Sequence, residues 1–329
     1  MNGLRTTNGN PSSPPYRNGP YLWDQDVTIS GGLNGTIKGK AGKCYYVDEE
    51  NGADGNNGLS PSTAFATLYK CLGNTTGNKV CRDDYSDDAE YHIYIAPGSY
   101  DSADLRMYGH GIHLHGLGIA GSDSGVNLID TNCTSAPLLL AGANCTIENI
   151  CFLMTDATDS AKGGIYAIAA DNCIIRNCTF KCVSGAGTNG ILIEDMRNSK
   201  VYGNNFGDAG SFFVSNIHGS TGADKYLIHT HIAGNRIYST RAASKGIVIH
   251  GDCLCYGTVI ERNFINLGKA TGAAIGIDQN NTNVALITDN FVCMASGDVP
   301  IESASSPTGM IGNHTQAGGT VVDPNTVAS

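Results

Sequence analysis

The chain has 329 residues, 41% hydrophobic and 15% charged, and its 20 basic against 30 acidic residues leave a formal charge of −10. That apolar content is enough for one continuous core, while the acidic balance excludes a duplex nucleic-acid or anionic-membrane partner. No run of about 18 apolar residues is present, which excludes insertion into a membrane as a helix, and acidic glycans are repelled unless a local basic patch or a metal ion intervenes.

In chain order, residues 1–43 come first, with Pro14-Pro15, repeated Asn-Gly pairs and a short strand expected at Asp26 to Ser30. This composition cannot bury a core, so the segment reads as an extended arm for attachment or oligomerisation. Its attachment residues are Asn8, Pro14, Pro15, Tyr16, Tyr21 and Trp23. The opening MNGLRTTNGNPSSPPYRNGPYLW lacks the apolar stretch of a secretory signal, and synthesis in the cytoplasm is expected. From Cys44 a strand leads into a helix whose apolar face is Ala64, Phe65, Leu68, Cys71 and Leu72, placed to cap an open first coil. Alternating segments at Tyr91 to Tyr100, Gly111 to Ile119 and Gly125 to Asp130 read as irregular first rungs. His110, His113 and His115 lie in this region; His113 and His115 share one strand face and are the metal candidates, through an HxH pair near a trimer axis. The competing reading makes them outward surface histidines.

From Thr146 to Gly318 one pattern recurs. An aliphatic anchor is followed five positions later by a second apolar residue: Ile147…Phe152, Ile175…Phe180, Val201…Phe206, Ile232…Ile237, Ile260…Ile265, Ile287…Val292, and a degenerate Met310…Thr315. The spacings of 28, 26, 31, 28, 27 and 23 residues mark stacked repeats. Asparagine stands between anchor and partner: Asn204, Asn235, Asn263, Asn290 and Asn313 three places on, Asn149 and Asn177 one place sooner. It tolerates the left-handed backbone of a tight bend, and its amide can pair with its equivalent one rung away. A small residue precedes each anchor by two (Cys145, Cys173, Ser199, Thr230, Thr258, Ala285), and a second strand lies upstream in most rungs (Leu138/Leu140, Ile191/Ile193, Ile247/Ile249, Ile275/Ile277, Val299/Ile301). The fold expected is all-β, a parallel β-helix of roughly ten coils, with 1–43 as arm, 44–90 as entry strand and capping helix, and 91–318 as coils within one domain, 44–329. The 12 cysteines have no zinc-type spacing; Cys145 and Cys173 read as thiols filling an inward column, whereas Cys71, Cys81, Cys253 and Cys255 are freer to pair. No cofactor is expected.

One column carries the chemistry. Immediately after the upstream strand come Glu194-Asp195, His250 with Asp252, Asp278 and Glu302, on rungs about 4.8 Å apart, so carboxylates one or two coils apart fall in the range for glycoside hydrolysis. Against this stands the preference of turns for acidic residues.

The entry text CYYVDEENGADGNNGLSPSTAFATLYKCL, then YHIYIAPGSYD, together with the repeat, resembles the right-handed, pectate-lyase-like β-helix superfamily, of the kind found in phage tailspikes and capsid decoration spikes. Its polygalacturonase-like members carry Asn-Thr-Asp, Asp-Asp and Gly-His-Gly in that order. Here Asn281-Thr282-Asn283 lacks the acid, Asp83-Asp84 and Asp87-Asp88 precede the repeat, and so does Gly109-His110-Gly111. For a lyase-type base, Arg197, Arg236, Arg241 and Arg262 match by type alone. The resemblance therefore implies a phage virion structural protein, a homotrimeric spike or decoration protein on the capsid or tail surface. It would be held to other virion proteins by residues 1–43, with host-surface polysaccharide as a further partner. The alternative it implies is a carbohydrate-active tailspike enzyme, a glycoside hydrolase or polysaccharide lyase.

Overall fold

A computed structural model describes residues 42–73, 80–81, 90–102, 104–121, 125–130, 136–155, 163–183, 189–207, 213–219, 225–251, 253–267, 274–279, 286–296, 298–303, 310–317 and 320–322. Asn8, Pro14, Pro15, Tyr16, Tyr21 and Trp23, and the strand expected at Asp26 to Ser30, lie outside the described residues.

The chain winds through three sheets in turn, each strand pairing in parallel with its equivalent one coil away. Sheet 1 begins at Lys43–Val47 and ends at Met310–Ile311; sheet 2 runs from Gly98–Asp101 to His314–Ala317; sheet 3 runs from Leu105–Met107 to Val299–Ser303. This is an all-β parallel β-solenoid. It makes about six regular turns, fewer than the roughly ten expected. The difference lies at the ends. The five-residue step from sheet 1 to sheet 2 belongs to the copies anchored from Ile147 to Ile287; the entry rungs add strands without that step, and Thr320–Val322 folds back antiparallel on His314–Ala317.

The core follows from this register. Tyr45, Ile93, Leu114, Ile147, Ile175, Val201, Ile232, Ile260, Ile287 and Met310 form one inward column of sheet 1. In sheet 2, Phe152, Phe180 and Phe206 stack with ring centroids 5.0 and 4.6 Å apart, all fully buried. Sheet 3 opposes them with Leu138, Ile165, Ile191, Ile217, Ile247 and Ile277. Here the pairing expected upstream of the anchors slips by two residues. Ile277, not Ile275, continues the column from Ile247, and Ile301 continues it in place of Val299, which is 39% exposed. Just before this column Gly190 meets the aromatic stack: a Cβ there would lie 2.7 Å from the Phe206 ring and 2.5 Å from the Asn216 carbonyl oxygen.

Two polar ladders turn the corners. Between sheets 1 and 2 a left-handed residue (Asn149, Asn177, Gly203, Gly234, Arg262, Asp289 or Gly312) precedes the ladder position. At that position Asn204, Asn235, Asn263, Asn290 and Asn313 pass an amide bond from rung to rung, Nδ2 to Oδ1, at 2.9–3.0 Å. Each donor of these pairs also reaches a carbonyl of the preceding coil, as Asn204 Nδ2 does to Ile175 O at 3.0 Å. The sequence reading gave one asparagine column both tasks. They are one residue apart: Asn149 and Asn177 make the bend, and Cys178 is the residue whose N–H meets Asn204 Oδ1 at 3.0 Å. At the corner before sheet 1 the Ser199 hydroxyl accepts from Cys173 N and donates to Ala170 O, at 2.8 and 2.9 Å. Thr230 and Thr258 hydroxyls likewise donate to Met196 O and Leu227 O. Cys145 and Cys173 are buried free thiols in this ladder, and Cys71 and Cys81 are free thiols as well.

The expected cap is present but short. Leu68–Leu72 is a single helical turn burying Leu68, Cys71 and Leu72, while Ala64 and Phe65 are buried ahead of it, Phe65 bridging to Val47.

Candidate functional site

The acidic column read from the sequence divides into three places. Asp278 and Glu302 lie inside sheet 3 strands, paired across neighbouring rungs and facing outward in line with Val248 and His218. His250 follows its strand on the adjacent coil, so His250, Asp278 and Glu302 share a facet to which His218 and Lys245 are added. Glu194 sits two coils away, and Asp195 turns into a separate three-stranded ladder with Ala170–Asp171 and Tyr226–Ile228. The cause is the two-residue slip in sheet 3, which draws Asp278 and Glu302 into the strand. Asp252 lies outside the described residues.

Three of these acids are committed to cations. Asp278 Oδ2 accepts from Lys245 Nζ at 2.5 Å, Asp195 pairs with Arg197 at 3.1 Å, and Glu194 pairs with Lys225. Burial alone would raise the Glu194 carboxyl, but hydrogen bonds from Lys225 and Tyr166 outweigh it and hold the group below its ordinary range. That is opposite in sign to the raised acid that protonates a leaving oxygen.

A different face has the shape of a binding site. On the outside of sheet 2 a groove of about 400 Å³ is lined by Thr179, Lys181, Asn205, Arg236 and Tyr238, with Ala120 and Gly121 as its wall. The wall is tied down: Lys181 Nζ donates to Gly121 O at 3.1 Å and the Thr179 hydroxyl to Ala120 O at 3.4 Å. Thr179, Asn205 and Arg236 of its floor belong to one residue column that continues beyond the groove through Phe264, Phe291 and His314, each paired with the next. Phe264 and Phe291 are 41% and 39% exposed and stack with centroids 5.2 Å apart and planes within 5°. The column therefore offers an amide, a guanidinium and the exposed parts of two mutually stacked aromatic rings along about 24 Å of solenoid axis, five rung spacings. Of these residues the sequence reading had named Arg236, as a base by type. The signal was available: each of them immediately precedes the second apolar residue of a repeat.

The metal candidates also rearrange. His115 Nδ1 meets Glu148 Oε1 at 2.6 Å and its Nε2 meets His92 Nδ1 at 3.1 Å, so both ring nitrogens are engaged and His115 is not free to bind an ion alongside His113. Instead Glu90, His92 and His113 bring one ligand atom each within 4.8 Å of the others.

No protein-family model matches the chain, and no curated protein matches it in sequence. Among solved structures it is similar to PfbA, a surface adhesin of Streptococcus pneumoniae, at 12% identity over 84% of this chain and 78% of that one, with a TM-score of 0.43. A rhamnogalacturonan lyase follows at 14% identity, 78% and 70% coverage and a TM-score of 0.32. A GH136 lacto-N-biosidase from Eubacterium ramulus gives 10% identity, 83% and 67% coverage and a TM-score of 0.30. The likeness concerns the solenoid fold, and no residue role is transferred from these proteins.

Proposed function

We propose that this chain is a structural, glycan-binding β-solenoid whose outer sheet 2 face holds an acidic polysaccharide lying along the axis. The observation that carries this reading is the continuous column from the groove at Lys181 and Arg236 to the stacked Phe264 and Phe291. Exposed stacked rings match the apolar faces of sugar rings, and a guanidinium beside a lysine matches a carboxylate. In a chain of charge −10 these two cations supply the local basic patch that an acidic glycan requires. Within this reading the chain serves as a homotrimeric virion spike anchored through residues 1–43, as its sequence resemblance implies.

Titration calorimetry against host-surface polysaccharides tests the site. Tyr238→Ala and Arg236→Ala are each expected to weaken binding about tenfold, the equivalent of about 1.4 kcal/mol. Unchanged affinity in both variants removes the sheet 2 face from consideration. The same incubations are expected to release no reducing ends or unsaturated sugars. Release that disappears in Asp278→Asn would favour the hydrolase reading of the His250, Asp278 and Glu302 facet. Deleting residues 1–30 is expected to abolish incorporation into particles while the solenoid stays folded, and retained incorporation would refute the anchor.

A further inference from the structure

We propose that Glu90, His92 and His113 form a binding site for a divalent transition-metal ion of the zinc or cobalt type on the outer face of sheet 1. Glu90 immediately precedes the strand Tyr91–Ile95, His92 lies on that strand, and His113 pairs with His92 from the neighbouring strand Ile112–Gly116. The two imidazoles stack with centroids 4.7 Å apart and planes within 18°, which brings ring nitrogens on successive rungs to one spot. Glu90 Oε2 stands 3.8 Å from His92 Nε2. That is too long for a hydrogen bond and about half an ångström beyond the roughly 3.3 Å between two ligands that each sit about 2.0–2.1 Å from one tetrahedral ion, a gap that a small side-chain rotation closes.

A second observation is which nitrogen of His92 faces Glu90. His115 Nδ1 meets Glu148 Oε1 at 2.6 Å, His115 Nε2 meets His92 Nδ1 at 3.1 Å, and Arg176 holds the other oxygen of Glu148. His92 Nδ1 is thus turned to His115, and Nε2 is the atom turned to Glu90. A carboxylate orienting a ligand histidine is the usual outer-shell arrangement of metal sites; here it acts through one intervening imidazole. Two imidazoles and one carboxylate suit zinc or cobalt rather than calcium or magnesium, and three protein ligands leave a fourth position for water. The Glu90 and His92 side chains are 45% and 30% exposed, so an ion reaches them from solvent. Once bound, it ties the lead-in at Glu90 to two successive rungs.

Cobalt(II) titrated into the metal-stripped full chain tests the site by absorbance and by unfolding temperature. The expected result is one ion per chain, visible ligand-field bands that zinc abolishes by displacement, and a raised unfolding temperature. His92→Ala and His113→Ala are each expected to lower affinity at least about 100-fold, and His115→Gln by about 10- to 100-fold with the stoichiometry kept. Cys44→Ser, beside His92 in the same outward column, is expected to leave binding unchanged. Should a histidine variant lose its circular dichroism spectrum, Glu90→Gln, which keeps the side-chain size, takes its place. One ion per three chains, full binding in His92→Ala or Glu90→Gln, or loss of binding in Cys44→Ser would each overturn the proposal.

Discussion

At the scale of single residues, the asparagine ladder makes the most exposed claim about stability. Asn235 receives both the N–H and the amide of Asn204 on Oδ1 and donates to Val201 O and Asn263 Oδ1. Asn235→Ala strands those partners in a site that is 1% exposed, and each buried orphan costs about 1–3 kcal/mol. A loss of roughly 2–5 kcal/mol in urea unfolding is expected, and a loss under about 1 kcal/mol would show that water replaces the amide. His218 sets a pH dependence. Burial first, then the charges of His250 and Lys245, lower its pKa to about 4, against the opposing pull of Asp278, and neither ring nitrogen has a hydrogen-bond partner among the described residues. Unfolded histidine titrates near about 6.5, so between these values the unfolded chain binds more protons and stability falls as pH is lowered. The urea midpoint should drop from pH 6.5 toward 4, and His218→Gln should flatten that slope.

At the scale of elements, the aromatic stack and the strand opposite it were built for one another. Gly190 has no side chain because the Phe206 ring occupies its Cβ space. Gly190→Ala is expected to cost about 1–3 kcal/mol by overpacking. The double variant with Phe206→Leu should recover part of the loss, so additive effects in a double-mutant cycle would count against direct contact. The ladder register also explains why the acidic column dissolved. A slip of two residues keeps Ile277 and Ile301 inward but moves Asp278 and Glu302 from the level of His250 to that of Val248, inside the strand, where Asp278 is 6% exposed, and only pairing with the preceding coil sets that level.

At the scale of the whole molecule, a solenoid is a chain of nearest-neighbour interfaces whose ends are its weak points. Lys43–Val47 is the edge strand of sheet 1, and Phe65, Leu68, Cys71 and Leu72 pack into the core behind it. Leu68→Asp should open this cap and produce soluble aggregates by light scattering while most β-sheet circular dichroism persists. A monodisperse Leu68→Asp protein would show that the cap is dispensable.

The repeat period, the anchor column, the phenylalanine stack and the cap were legible in the amino-acid order, because each depends on spacing along one strand or one coil. Ile147, Ile175 and Val201 had to coincide once the five-residue step was recognised, since both ends of that step need burial. What pairing between coils decides was not legible: the two-residue slip of sheet 3, and the division of bend and ladder between neighbouring positions rather than within one asparagine column. Likewise His92 and Glu90 join His113 only through the register of neighbouring rungs. Spacing within a coil records which side chains must be buried, whereas a functional face is made of outward residues that no burial constrains, and only stacking brings them together.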